Sequence, residues 1–343
     1  NSFCTLLANT TAVGTMLQAE GSSLIPKVGK PVIKFNNSGV RSVLVLLNGR
    51  AGWRRALNYF NATLQYQLDR EGVVYKVRNT PPDDLATILR TEKAHMWEAV
   101  AIVGGDGSLN AYINHAFAPE AYDRWHEKPI VLIPTGTHNS VAHAVGIDRP
   151  EATVGSLRYG RIKKMPLWGC TLGGVAVAQV VGGVSVGFYA DVIHDAHEIK
   201  LRAAESSTMP MPKRRQFWAS LWNTFYRYRS VACNLEVYSD VSEGAEPDKV
   251  IKGPFRTIIA SHLPMQHSGY SLTPKANADD GLLHVTMAKQ ECTRMRMLHL
   301  VHREGPARAI MEEDGVSVTS GRKLVFDFYE DAPIEDADFE EER

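Results

Sequence analysis

Residues 99–108 read Ala-Val-Ala-Ile-Val-Gly-Gly-Asp-Gly-Ser, a short apolar run that passes directly into a glycine-rich turn. Five consecutive apolar residues are typical of a strand that is buried on both faces of a parallel sheet. Two similar junctions flank this one along the chain. They are the run 42–47 followed by Asn48-Gly49-Arg50-Ala51-Gly52, and the run 129–133 followed by Pro134-Thr135-Gly136-Thr137-His138-Asn139.

Segments with helical character separate these strands. The helical segments are residues 53–68, 83–90, 109–117 and 140–145, and a further strand is predicted at 73–77. Strands that alternate with helices at this spacing indicate a parallel sheet covered by helices on both faces. We therefore expect an α/β domain over residues 38–160.

The alternation of strands and helices ends at about residue 165. Strand candidates lie at 170–186, 231–238, 255–261 and 282–287, with one helical segment at roughly 214–228. Strands without intervening helices indicate antiparallel pairing. The sequence thus predicts a mainly antiparallel β-sandwich domain over residues 161–329, followed by an acidic tail at 330–343.

Charge and cysteine content limit the class of protein. The 343 residues contain 38 Lys and Arg against 38 Asp and Glu, but eight of the acids lie in the tail. The rest of the chain has a net charge of +7, with 37 bases and 30 acids, which suits an anionic ligand or membrane surface and is too small to favour nucleic acid. The four cysteines are far apart, so we expect neither a zinc site nor disulfides, and a reducing, cytoplasmic location.

Targeting and spanning segments are not predicted. No run of 18 or more apolar residues occurs, and residues 1–19 have no basic segment of the kind that opens a signal peptide. The histidines do not have the spacing of metal ligands, so no protein metal site is predicted.

The three glycine-containing turns follow predicted parallel strands, so all three should open onto the same sheet edge. Glycines let the backbone approach a ligand closely, and the N–H groups that begin the following helices attract an anion. A phosphate cradle is therefore predicted there. It matches neither the P-loop motif nor the dinucleotide fingerprint, because GxxxxGK[ST] is absent and Asn110 replaces the third glycine.

Asp106 is the candidate catalytic residue, because it places a carboxylate beside a predicted phosphate site. Such a group could accept a proton from an attacking hydroxyl or hold a magnesium ion. The alternative is a local structural role, in which Asp106 and Ser108 form an Asx-turn or cap a helix.

The three turns, with Gly104-Gly105-Asp106-Gly107-Ser108 at their centre and Pro274 and Asp280-Gly281-Leu282-Leu283 further on, resemble the diacylglycerol kinase and sphingosine kinase superfamily. Gly187-Phe188-Tyr189-Ala190-Asp191-Val192 is most similar to eukaryotic sphingosine kinases. The resemblance implies a kinase that uses ATP and Mg²⁺ to phosphorylate a lipid hydroxyl.

The resemblance also implies roles for individual residues, with Asp106 as the general base. The nucleotide-side residues would be Asn48, Arg50, Gly52, Arg54, Arg55, Thr80, Gly105, Gly107, Ser108, Gly136, Thr137, Asn139, Lys200 and Arg202. Phe188, Asp191 and Asp195 would contact the lipid substrate.

Two positions depart from the pattern and leave alternatives open. Ala111 replaces a glutamate, and Ile193 replaces the acid that sphingosine kinases place after the Ala190-Asp191-Val192 segment. A sphingoid base is the expected substrate, with diacylglycerol or ceramide as alternatives. The third hypothesis is a catalytically weak protein that binds nucleotide or lipid.

The helical segment near 214–228 has a broad aromatic stripe. Phe217, Leu221 and Phe225 recur every four residues, Trp218 and Trp222 lie beside them, and basic residues occur at both ends. This pattern suits a helix that lines an acyl pocket or lies on an anionic membrane as a peripheral contact. An ordinary helix packed on the sandwich is the alternative.

Overall fold

A computed structural model describes most of the chain. The described residues are 3–5, 15–19, 39–52, 55–80, 85–118, 123–136, 139–147, 149–159, 165–172, 175–205, 213–227, 229–242, 244–264, 266–267, 270–277, 279–297 and 315–329. The predicted acidic tail, residues 330–343, lies outside them. Among the described residues, no helix is both long enough and apolar enough to cross a bilayer.

Two short strands, β1 (Phe3–Thr5) and β2 (Thr15–Ala19), precede the α/β domain. The domain itself contains β3 (Ser42–Leu47), α1 (Arg55–Tyr59), α2 (Gln65–Arg70), β4 (Val74–Asn79), α3 (Leu85–Thr91), β5 (Ala99–Gly104), α4 (Asp106–Ala116), β6 (Ile130–Pro134), α5 (Ser140–Ala144) and α6 (Pro150–Tyr159). A π-helical segment, Phe60–Leu64, joins α1 to α2, and short 3₁₀ turns lie at Ala94–Met96 and Trp125–Glu127.

The four strands form a parallel sheet in the order β4-β3-β5-β6. Alternate residues of β5 enter different cores: Val100 and Ile102 pack against α3 and α4, whereas Ala101 and Val103 pack with α1, α2 and α6. Every residue of β5 is buried. This arrangement confirms the predicted parallel sheet with helices on both faces.

The second half of the chain is mostly strand. Its elements are β7 (Trp168–Leu172), β8 (Val175–Val180), β9 (Gly183–Gly187), α7 (Phe188–Glu205), α8 (Lys213–Arg227), β10 (Cys233–Tyr238), β11 (Lys249–Lys252), β12 (Phe255–Ser261), β13 (Gln266–His267), β14 (Tyr270–Ser271), β15 (Leu283–Lys289), β16 (Val316–Gly321) and β17 (Lys323–Phe328).

These strands build two larger sheets, in the orders β1-β9-β12-β15-β16 and β11-β10-β17-β2-β7-β8. All pairings in them are antiparallel except that of β1 with β9. A common core contains Trp168 and Leu235 from the six-stranded sheet and Ile258 and Met287 from the five-stranded sheet. The predicted antiparallel sandwich is therefore confirmed, with β1 and β2 as members that the sequence did not indicate.

The expectation of a single helix in this half was wrong, because α7 is an 18-residue helix. The helix begins at Phe188, directly after β9 and without an intervening loop. The chain changes direction at Gly187, the last residue of β9, whose φ is +81°. Phe188, Tyr189 and Val192 pack with Leu221 of α8 against the five-stranded sheet. The preceding Val- and Gly-rich strands concealed the change of period at this junction.

Candidate active site

The ends of the parallel strands meet at one edge of the sheet. The Asn48 N–H donates to the Val103 carbonyl at 3.0 Å, which joins the turn after β3 to the end of β5. The Thr135 N–H donates to the Gly104 carbonyl at 2.9 Å, which joins the turn after β6 to β5. The three predicted turns therefore lie side by side.

Thr80 extends this row by one strand. Its N–H donates to the Leu47 carbonyl at 2.9 Å, so the residue after β4 lies beside the turn after β3. Thr80 is buried. It therefore borders the turns from within the fold rather than from an open surface.

The turns pack so closely that two glycines are required. A Cβ on Gly136 would lie 2.4 Å from the Gly105 Cα, and a Cβ on Gly52 would lie 2.1 Å from the Thr135 carbonyl oxygen. Gly52 also has a φ of +56°, in the left-handed region. The three turns thus form one contiguous backbone surface.

Side chains of the turns form hydrogen bonds within and between them. The Asn48 amide donates to the Ser108 hydroxyl at 2.9 Å, which joins the turns after β3 and β5. Within their own turns, the Asn48 Oδ1 accepts the Arg50 N–H at 3.2 Å and the Asn139 Oδ1 accepts the Gly136 N–H at 3.0 Å. Asn48 and Ser108 therefore join two turns, whereas Asn139 fixes the shape of its own.

Asp106 begins α4, three residues earlier than the sequence indicated, and is only 4% exposed. Its Oδ2 accepts the Ser140 N–H at 2.8 Å and its Oδ1 accepts the Val141 N–H at 3.0 Å. These are the first two N–H groups of α5, which have no partner within their own helix. The carboxylate therefore caps α5, a helix that is distant in the sequence. The structural alternative predicted for Asp106 was a turn or a cap within its own segment.

A small cleft lies between the ends of β5 and β6 and the helices α4 and α5. Asp106, Gly105 and Asn139 line it. The buried Thr135 hydroxyl has no hydrogen-bond partner among the described residues. A buried hydroxyl without a partner is costly, so this one is available to a bound group.

The remaining nucleotide-side residues are more dispersed. Arg50 and Arg55 are exposed at the turn after β3, and Gly107 is in the first turn of α4, whereas Arg54 and Thr137 lie outside the described residues. Lys200 and Arg202 are in the C-terminal part of α7, which packs against β9, β12 and α8. Arg202 is exposed and lies 3.8 Å from Glu198, one turn earlier.

The expected substrate-side residues lie at the other end of α7. Asp191 and Asp195 are one turn apart, and Asp195 Oδ2 is 4.0 Å from a guanidinium nitrogen of Arg227. Burial, together with the nearby charge of Asp195, raises the pKa of Asp191 above its ordinary value, although Arg229 and Arg227 oppose the shift. Phe188 is 1% exposed and belongs to the core between α7 and α8.

A family model gives the wider context for this geometry. Residues 42–169, which span the sheet and all three turns, match the model of the diacylglycerol kinase catalytic domain. Over part of its length the chain is therefore similar to the diacylglycerol kinase and sphingosine kinase superfamily.

Similar members of the superfamily come from distant organisms. Sphingosine kinase B of Dictyostelium discoideum is 27% identical over 126 residues, which are 36% of this chain and 16% of that protein. Sphingosine kinase 1 of Mus musculus is 29% identical over 104 residues, which are 30% of this chain and 27% of that protein. The matched segments thus cover less than a third of either relative.

The fold is shared more widely than the sequence. A crystal structure described as a diacylglycerol kinase from Bacillus anthracis superimposes with a TM-score of 0.54 over 85% of this chain and 87% of that chain, at 14% identity. The two chains therefore share a fold that includes both the α/β domain and the sandwich.

The residues present fit nucleotide phosphates better than a metal held by protein alone. The turns offer one contiguous backbone surface at the start of α4 and α5, and the Thr135 hydroxyl has no partner among the described residues. Within the described residues, no group of three or more His, Cys, Asp or Glu side chains could hold a metal ion. Mg²⁺ commonly binds through one or two carboxylates and the phosphates of a nucleotide, which this site would allow.

Proposed function

We propose that this protein is a lipid kinase, which transfers the γ-phosphate of ATP to a lipid hydroxyl. The observation that carries the proposal is the convergence of the three turns at the carboxyl edge of the parallel sheet, with Asp106 on a cleft between the turns after β5 and β6. Ligands of open α/β sheets bind at this edge. The similarity of residues 42–169 to the diacylglycerol kinase catalytic domain supports the same chemistry.

The backbone of the turns would hold the phosphates of ATP. The N–H groups that begin α4 and α5 would attract the phosphates, and Arg50 and Arg55 are exposed nearby. Lys200 and Arg202 would neutralise phosphate charge from the second domain. Mg²⁺, when bound, would supply further positive charge at the phosphates.

Asp106 would orient the attacking hydroxyl and accept its proton. The Ser140 and Val141 N–H groups, one on each carboxylate oxygen, fix the direction of the carboxylate. Fixed orientation is what phosphoryl transfer requires of a protein.

A sphingoid base is the proposed acceptor. Asp191 and Asp195 present two carboxylates one turn apart, and a cationic amine would lower the cost of keeping both ionised. The similarity to sphingosine kinases supports this choice. Ile193 favours the second candidate, a neutral acceptor such as diacylglycerol or ceramide, because it stands where sphingosine kinases have an acid.

A panel of acceptors separates these candidates. The protein is incubated with radiolabelled ATP and a sphingoid base, a diacylglycerol or a ceramide in the same detergent micelles. We expect phosphate transfer to the sphingoid base, with a loss of about tenfold or more in Asp191→Asn and Asp195→Asn. Transfer to the neutral acceptors alone supports the second candidate. ATP binding without transfer to any lipid supports a catalytically weak relative.

Asp191→Asn is a suitable variant for this panel. The folded protein has a raised pKa at Asp191, so ionisation of this carboxyl opposes folding at every pH above its ordinary pKa. The uncharged variant should therefore be at least as stable as the parent at neutral pH. A loss of transfer in it then reports on the acceptor and not on unfolding.

We further propose that α8 places the protein on an anionic membrane as a peripheral contact. Trp222 and Tyr226 are 52% and 64% exposed, and Phe225 stacks on Trp222 with 5.7 Å between ring centroids. Leu221, which precedes Trp222, is buried against α7 and fixes the helix on the protein. Arg227 and Arg229 lie exposed at the end of this aromatic face, where anionic headgroups would meet them.

Co-sedimentation with vesicles tests the membrane contact. Vesicles containing phosphatidylserine should bind the protein more tightly than vesicles of phosphatidylcholine alone, and Trp222→Ser with Tyr226→Ser should weaken binding about tenfold or more. Tyr66→Ser is the matched control, because Tyr66 is 68% exposed on the α/β domain. Equal loss in the control, or no loss in the double variant, would contradict the proposal.

A further inference from the structure

Asn114 of α4 bonds directly to a strand of the second domain. Its Oδ1 accepts the Gln179 N–H at 2.8 Å, and its Nδ2 donates to the Gln179 carbonyl at 2.8 Å. Gln179 lies in β8, which is an edge strand of the six-stranded sheet. An edge strand has unpaired backbone groups, and Asn114 satisfies both of those at Gln179.

The amide of Asn114 has only one favourable orientation. Its Nδ2 also donates to the Asn110 carbonyl, one turn earlier in α4, at 2.9 Å. Two carbonyls therefore face the NH₂ group and one N–H faces the oxygen. A flipped amide would place like groups together at all three contacts, and an aspartate would put an oxygen against the carbonyls.

This contact lies where the two domains join. Val181, two residues after Gln179, packs in the same core as Leu109 and Ile113 of α4. The chain then enters β9, which continues directly into α7. Asn114 therefore links the helix that begins at Asp106 with the strands that lead to Asp191.

We propose that Asn114 is a positioning residue that fixes the relative placement of the two domains, and through it the distance between Asp106 and the acceptor held by α7. Asn114 is eight residues after Asp106, about 12 Å along a helix, so it does not itself contact the reacting groups. The catalytic consequence rests on the proposed lipid kinase function, whereas the structural link does not.

A distance measurement tests the link without any need for activity. Nitroxide labels are placed at Ala86→Cys in α3 and Lys249→Cys in β11, which are exposed sites in different domains, whereas Cys170, Cys233 and Cys292 are buried. We expect a broader or shifted distance distribution in Asn114→Ala and in Asn114→Asp. His115→Ala, at an exposed position of the same helix, should leave it unchanged. An unchanged distribution in both Asn114 variants would overturn the proposal.

Kinetics test the consequence. We expect kcat for lipid phosphorylation to fall by about 10- to 100-fold in Asn114→Ala, with nucleotide affinity within about twofold of the parent. A shifted distance with unchanged kcat would overturn the positioning role. If the parent phosphorylates no lipid, the proposed function fails, and the distance distributions still decide whether Asn114 fixes the domains.

Discussion

His262 shows how a single buried residue can control the response of the protein to acid. It is 1% exposed, and neither ring nitrogen has a hydrogen-bond partner among the described residues. The indole N–H of Trp168 is likewise unpartnered, and the two ring centroids are 6.3 Å apart. Burial lowers the pKa of His262 to about 4, although Asp280 acts in the opposite direction.

The lowered pKa of His262 predicts a specific loss of stability in acid. The unfolded chain, with a histidine pKa of 6.5, binds the proton before the folded protein does. The stabilisation that comes from keeping His262 uncharged is therefore complete above the unfolded-state pKa of 6.5. It is lost as the pH falls from there through the folded-state pKa near 4. The contribution from this residue is on the order of 3 kcal/mol.

His262→Leu should remove this part of the acid response. The free energy of unfolding, measured by urea titration at pH 7 and at pH 4, should fall less in the variant than in the parent. The leucine also removes two unpartnered nitrogens from the interior, so no loss is expected at pH 7. If the free energy of unfolding fell equally in the variant and the parent between pH 7 and pH 4, His262 would not be the titrating group.

At the scale of elements, the packing of the turns rests on glycine. Gly136 has no room for a Cβ, whereas a Cβ on Gly49 in the neighbouring turn would meet nothing within 4 Å. The two positions thus offer the same substitution in two different surroundings. A difference in stability or ATP affinity between the two alanine variants therefore reports how much the close approach of the turns matters.

Gly136→Ala should separate the turns and weaken nucleotide binding. The backbone of Gly105 would have to move, because a contact of 2.4 Å to its Cα is not tolerated. We expect a loss of about 1–3 kcal/mol in the free energy of unfolding and of about tenfold or more in affinity for ATP by calorimetry. Gly49→Ala should change neither by much. Similar affinities in the two variants would show that the turns do not hold the nucleotide.

The sequence could predict some of these elements and not others. The apolar run of β5 and the turns beside it could be read directly, because parallel strands deliver their carboxyl ends to one edge. The capping of α5 by Asp106 could not, since it joins residues 34 and 35 positions apart through backbone N–H groups. The same holds for β1 and β2, whose partners lie more than 140 residues away.

At the scale of the whole molecule, two domains meet around α4. One end of the helix carries Asp106 on the cleft, and Asn114 near its other end bonds to the second domain. The proposed kinase needs both domains, since the turns would hold ATP and α7 would hold the acceptor. Local sequence patterns do not encode this juxtaposition, because it depends on contacts between distant segments.

Asp106→Asn tests the account most directly, through transfer of labelled phosphate from ATP to lipid. An asparagine can accept only one of the two α5 N–H groups, so we expect a loss of about 1–3 kcal/mol in stability, measured separately. Assayed well below its unfolding temperature, the folded variant should bind ATP like the parent but transfer phosphate about 10²- to 10⁴-fold more slowly. Transfer at the parental rate by this folded variant would contradict the central claim.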